Sequence, residues 1–477
     1  MFSEIGTVDP LRMTGSGGSD GQRGFALYGG LIVLNGETGE IDPLLAQSFE
    51  PDATFTTWTL KLKPGITFSD GTPMNAAAVK VNWERIKDIT ARSPALTTLL
   101  PVTAMTPSDD LTLVITLGTP NAFFDHAVAR VSANYIVSAT AIANKADMTS
   151  TAYGAGPFLL KEWIRDNQMT LTKNPNWKGS DGPYLDTLIL RTVSDEDQRI
   201  DTFTTGQADG FYTSTPASVT RAQDAVDDSE YAAVAIPMGQ SFVFNLTKPP
   251  FNDVRMRRAY AMGTDWQALA ETVFGEGAEA PYNFSLEGSQ YYTEDAELPA
   301  YDPAGAQKLI DEYVAANGGQ PVTINHIAFQ QTLDQARVKF IQTSLNQLKN
   351  IKVEVQVGDS PSNIGKVLAG DFMVSSWGFP APDGDPGIYN SVHSKSFNNY
   401  SKYNNPTVDA NLDKARVTDV ESVREPLYQD VYKQLAEDIP FYPYVKTING
   451  FVLSPDVNDG AVYGDGILRF DLVWKSN

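Results

Sequence analysis

The chain has 477 residues, 42% of them apolar and 20% charged, enough for two or three ordinary domains with full cores. Its 58 acidic residues outweigh 36 basic ones for a net charge of −22, which excludes a nucleic-acid binder built on clustered Lys and Arg. With no cysteine there are no disulfides, thiolate nucleophiles or cysteine metal sites, and no apolar run approaches the roughly 18 residues of a membrane helix.

The opening residues, MFSEIG, carry neither the basic stretch nor the apolar core of an export signal. Residues 15–21, GSGGSDG, follow no strand and read as a loop. A Gly-rich turn there could also approach a ligand by its backbone, with Gln22 and Arg23 beside it to offer hydrogen bonds. Residues 59–68, TLKLKPGITF, alternate as a half-buried strand before a Pro-Gly turn, and Thr72-Pro73 then opens a helix along Ala77, Val79 and Trp83. Strands follow at 111–117, 158–163, 169–172 and 188–192, with a polar helix near 195–204.

At 242–244 two aromatics around a valine mark a covered strand, ended by Pro249 and Pro250, which have no backbone N–H for a ladder. Asp253 can cap a helix, behind which Met262, Trp266, Leu269 and Val273 share one apolar face. Asp302-Pro303 starts a further helix, which Asn317-Gly318-Gly319 stops. Strand 322–327, a helix carrying Val338, Ile341, Leu345 and Leu348, and the alternating strand at 351–357 make a βαβ unit with parallel pairing. Residues 406–439 are mainly helical, and 441–453 read as strand.

Motifs for catalysis are scarce. His126, His326 and His393 are far apart and lack zinc-site spacing, so each reads as a surface or satisfied histidine. No nucleophile elbow and no phosphate loop is present. Acid pairs such as Asp109-Asp110 and Asp227-Asp228 fit solvated faces, and a secreted acidic hydrolase is the rival reading they leave. The acids Asp383 and Asp385 differ, because they follow Trp377 and Phe379 on a loop rich in turn formers, and loops carry function.

Residues 245–259, NLTKPPFNDVRMRRA, resemble the hinge motif of the peptide/nickel/opine family of extracytoplasmic solute-binding proteins that serve ABC importers. Similar segments fall in the family's order at 58–79, 154–177, 301–309 and 377–386. The resemblance implies an α/β, two-lobed periplasmic-binding-protein-like fold (type II, cluster C) with an extra small domain in the first lobe. The first lobe is expected to comprise 1–30, 152–241 and 454–477, the extra domain 31–151, and the second lobe 242–453. Two chain crossings, near 242–246 and 451–453, are expected to form a hinge that closes on the solute.

The resemblance further implies a small solute, most commonly a peptide, captured without bond making and handed to a permease and its ATPase. The same fold also serves nickel chelates, opines and oligosaccharides. No cofactor or metal is expected, nor any nucleic-acid partner. The location is extracytoplasmic, with membrane association only through a lipid anchor that this chain does not carry. In peptide-binding relatives an aspartate in the Trp-to-Asp-Pro segment receives the ligand's ammonium group; Asp383 is the nearest match. Counting back from Asp385-Pro386 puts Pro382 at that position, and a displaced aspartate would suit a ligand other than a peptide with a free amino terminus. Trp377 reads as pocket wall or core, with Phe379, Tyr389 and His393 on the same excursion. Tyr28, Gln240 and Phe242 flank regions that line the cleft in relatives and read equally as ligand contacts or as packing.

Overall fold

The computed structural model describes residues 1, 4–36, 38–378 and 384–476, and of 236–239 the backbone alone. The chain forms two compact units, residues 1–214, 218–235 and 448–477, and residues 215–217 with 236–447. It passes from the first to the second within one strand, between 235 and 236, and back within another, between 447 and 448.

In the first unit the alternating segments become β1 (Ala46–Pro51), β2 (Thr57–Leu62), β3 (Val102–Pro107) and β4 (Thr112–Leu117), an antiparallel sheet of order β1-β2-β4-β3. Leu60, Leu62, Leu113 and Ile115 alternate inward and are buried, as a period of two requires. Helix α1 (Ala76–Lys87) covers this sheet with Val79 and Trp83 buried. It begins later than Thr72-Pro73, because Asn75 caps it by accepting from Ala78 N at 2.9 Å while Pro73 bridges Thr67.

A second sheet of this unit runs β5 (Phe158–Ile164), β6 (Gln168–Lys173), β7 (Thr187–Arg191) in antiparallel order. Helix α2 (Glu196–Thr204) follows, with Asp195 accepting from Gln198 N. Strand β8 (Gly210–Thr213) then pairs antiparallel with residues 450–453.

Strand β9 (Glu230–Phe244) leads into the second unit. The apolar face predicted behind Asp253 belongs to two helices, α3 (Val254–Met262) and α4 (Trp266–Phe274). Residues 263–265 interrupt it, and Asp265 starts α4 by accepting from Ala268 N at 3.0 Å. Helix α5 (Pro303–Ala316) begins at its Asp302 cap. The βαβ unit forms as expected: β10 (Val322–Phe329), α6 (Thr332–Leu345) and β11 (Ile351–Gly358), with the strands parallel in unbroken register from Val322↔Ile351 to Phe329↔Gly358.

Helix α7 (Ser360–Leu368) precedes β12 (Val374–Trp377), which lies parallel to β10 and antiparallel to β9. Helices α8 (Gly387–Val392), α9 (Pro406–Arg416) and α10 (Glu421–Asp438) lead to β13 (Phe441–Leu453). The sheet of this unit has the order β13-β9-β12-β10-β11. Its core gathers Phe242, Phe244, Tyr260, Trp266, Ile341 and Tyr444. Among the described residues no helix is long and apolar enough to cross a membrane.

Candidate functional site

Where β10 and β12 end, beside Gln240 of β9, the second unit holds a pocket of about 610 Å³. Gln240, Trp377 and Tyr444 line it together with Phe329, Asp334, Arg337 and Ser376, and Leu333 and Ile364 contribute exposed apolar surface at its side. Its volume lies in the range of small-molecule sites, and the mixture of aromatic wall with a few polar groups is their usual composition.

The polar floor grows from helix α6. Asp334 occupies the first turn, where the helix dipole favours an acid, and its side chain is only 2% exposed. Its carboxylate accepts from Phe329 N, from Ser376 Oγ of β12 and from Arg337 Nε, the last at 2.6 Å. Arg337, one helical turn on, also places Nη2 2.5 Å from Asp334 Oδ1 and donates Nη1 to Gln240 Oε1 at 3.1 Å. The Tyr444 hydroxyl donates to the same Gln240 oxygen at 3.0 Å, and its ring lies 5.1 Å below the guanidinium. Burial pushes the Tyr444 hydroxyl upward, so it stays a neutral donor.

A guanidinium has five N–H donors. These contacts engage three of Arg337's, in a side chain 15% exposed and lining the pocket. Paired on one edge and open on another, Arg337 is a fixed fork of the kind that receives a carboxylate. Among the described residues no group of three or more His, Asp or Glu side chains could hold a metal ion.

The model of the bacterial extracellular solute-binding proteins, family 5, matches residues 40–399. The chain belongs to this family. It is 26% identical over 456 residues to the glutathione-binding protein GsiB of Pectobacterium atrosepticum, covering 90% of this chain and 87% of that one. It superimposes with a TM-score of 0.81 on NikA of Brucella suis in complex with Fe(III)-EDTA, at 19% identity and covering 100% and 99% of the two chains. The dipeptide-binding protein of Pseudoalteromonas sp. SM9913 in complex with Met-Leu matches with a TM-score of 0.80, again at 19% identity and with 100% and 99% covered. The fold of this family 5 protein is therefore the α/β two-lobed periplasmic-binding-protein fold.

The other residues singled out in the sequence fall elsewhere. Tyr28 is enclosed in the first unit, its ring 6.4 Å from that of Tyr135 and its hydroxyl donated to Val8 O at 2.7 Å, which leaves no polar atom for a solute. Phe242 is fully buried between Tyr260, Trp266, His326 and Tyr444 and acts as packing behind the pocket. Phe379 and Asp383 lie outside the described residues.

Tyr389 and His393 stack on each other 4.4 Å apart on and beside α8, in a cluster of their own. There Arg416 grips the fully buried Asp385 through Nε at 2.6 Å and Nη2 at 2.8 Å, and lies 3.3 Å above the Tyr389 ring. His393 is buried, its Nδ1 accepts from Lys395 N, and its Nε2 lies 3.2 Å from Asp413 Oδ1. This cluster anchors the chain just after the Trp377 excursion. The Gly-rich loop at 15–21 is likewise structural, with Ser16 Oγ and Gly17 N both on Asp465 and the Gln22 amide spent on Gly17, Gly466 and Leu468.

Sequence reasoning thus reached Gln240 and Trp377 but missed Asp334, Arg337, Ser376 and Tyr444. One pattern could have found the first two. Asp334 stands at the head of the stripe Val338, Ile341, Leu345, where a carboxylate at a core position needs a partner, and Arg337 is one turn away.

Proposed function

We propose that this family 5 protein is the solute receptor of an ABC import system, working outside the cytoplasm, and that its solute is an oligopeptide or similar small acid held by a carboxylate on Arg337. The observation that carries this reading is the Arg337 fork, fixed by Asp334 and Gln240 and open toward a pocket walled by Trp377 and Tyr444. Met-Leu and EDTA, named with two solved relatives, both carry carboxylates. The Trp377 ring, half-buried and edge-on to Tyr400 at 4.9 Å, offers its remaining face to an apolar side chain of the solute. Binding at micromolar strength needs about 8 kcal/mol, which burial against this wall together with one charge-assisted contact can supply. Delivery to a permease and its ATPase follows from the same reading, with no chemistry performed on the solute.

Titration calorimetry tests it with Arg337→Lys, which keeps a charge beside Asp334 and removes the planar fork. Losing a charge-assisted bond worth about 1.5–3 kcal/mol weakens binding of a free-acid peptide by about ten- to a hundredfold. Amidating the peptide's carboxyl terminus costs the wild type a similar factor and costs the variant little more. Equal affinity for acid and amide would remove Arg337 from the site.

A further inference from the structure

Among the described residues that line the Arg337 pocket, the charged side chains are Asp334 and Arg337 themselves, paired with each other. Beside them lies an apolar side built where α6 and α7 begin. Gln331 Nε2, at the head of α6, donates to Ser360 Oγ, the first residue of α7, at 3.3 Å. Leu333 stands two residues past Gln331 and Ile364 one turn past Ser360, so the same junction carries both into the pocket, where Phe329 at the end of β10 joins them. Leu333 is 50% exposed and Ile364 40%. Exposed aliphatics scattered singly over a surface are ordinary, but two that share one pocket with an aromatic ring form a surface for an apolar group.

The position of that surface relative to Arg337 follows from the helix. Leu333 and Arg337 are four residues apart on α6, which makes them neighbours on one face, about 5–6 Å apart at Cβ. Helical side chains lean toward the N-terminus, so Arg337 reaches back over the turn that carries Leu333. In an amino acid the side chain leaves the same carbon that bears the carboxylate. With the carboxylate on the Arg337 fork, that side chain is set down against Leu333, Ile364 and Phe329.

We propose that this apolar side is the specificity pocket of the receptor. Resting on the reading that Arg337 holds the carboxylate, the inference is that the solute's carboxyl-terminal residue carries a branched aliphatic or aromatic side chain. A charged side chain in its place would shed its water against Leu333 and Ile364, with Asp334 and Arg337 already committed.

Calorimetry with the free-acid dipeptides Ala-Ala, Ala-Leu, Ala-Phe, Ala-Asp and Ala-Lys reads the terminal side chain, because all share one backbone and one terminal carboxylate. Ala-Leu and Ala-Phe are expected to bind about ten- to a hundredfold more tightly than Ala-Ala. Ala-Asp and Ala-Lys are expected to bind more weakly than Ala-Ala. Leu333→Ala and Ile364→Ala are expected to narrow the gap between Ala-Leu and Ala-Ala, with melting temperatures close to that of the wild type because both side chains are exposed. Ile364→Lys, which sets a positive charge on the apolar side, is expected to raise the affinity for Ala-Asp relative to Ala-Leu severalfold. Equal affinities across the dipeptides, or an order of affinities that all three variants leave unchanged, would overturn the inference. Amidated Ala-Leu separates it from the reading on which it rests. If the acid binds more tightly than the amide while the terminal side chains make no difference, Arg337 keeps its role and the specificity pocket is refuted. If acid and amide bind equally, the carboxylate reading fails and the specificity pocket fails with it.

Discussion

Asp334→Ala is expected to lower the stability of the protein by about 3–5 kcal/mol, the cost of breaking a buried ion pair from one side. Removing the carboxylate strands three donors at once: the Phe329 amide, the Ser376 hydroxyl and the Nε of Arg337. The large effect comes from what remains, because the guanidinium of Arg337 keeps its charge beside the neutral side chains of Gln240 and Tyr444. Solute binding fails in the same variant, since Arg337 loses the contact that sets the direction of its fork. Urea unfolding followed by tryptophan fluorescence reads the first effect and calorimetry the second. A loss below about 1 kcal/mol would place the pair in the class of exposed ion pairs and refute the buried network.

The second large effect is a fall in stability on acidification that passes through His326. This ring is fully buried, with Nδ1 3.1 Å from Ile327 O and Nε2 2.9 Å from the Tyr260 hydroxyl. Facing a carbonyl, Nδ1 carries the hydrogen, and Nε2 accepts from Tyr260. Burial lowers the folded-state pKa to about 4 from an ordinary 6.5.

Above pH 6.5 neither folded nor unfolded chain holds the extra proton, and the stability is complete. Between 6.5 and 4 the unfolded chain binds it and the folded chain does not, so stability falls as pH falls, by up to about 3 kcal/mol in total. Below 4 both forms are protonated and this contribution stays flat. Carboxylates titrate in the same window, so the measurement is the difference between wild type and His326→Gln. The wild type should lose up to about 3 kcal/mol more than the variant between pH 6.5 and 4. Parallel curves would mean that the imidazole titrates normally in the folded protein.

The fold was legible wherever one face of an element is apolar and the other wet. The βαβ unit around α6 announced itself by the alternation of Ile351, Val353 and Val355 and by the stripe of Val338, Ile341 and Leu345, and its parallel register followed from the short crossover. Capped starts at Asp253 and Asp302 were legible because a short acid before a helix has few other uses. The break between α3 and α4 was hidden, since the apolar residues of the two helices fall at the spacing of one.

The site was less legible for a different reason. Its polar groups come from β9, α6, β12 and β13, so Gln240 and Tyr444 meet Arg337 across roughly a hundred residues of chain in each direction. No spacing rule reaches that far. Aromatics misled in the opposite sense: Tyr28 and Phe242 have the character of ligand walls, yet their rings face the interiors of their units. An aromatic residue in a strand or helix carries the same sequence signature whether it lines a pocket or fills a core.

The most direct test of the account is mass spectrometry of the solute extracted from the purified protein, run in parallel on Arg337→Lys. The account predicts short peptides or other small acids with a free carboxylate, near one per protein chain in the wild type and depleted in the variant. A bound solute without a carboxylate, or one retained equally by the variant, would contradict it.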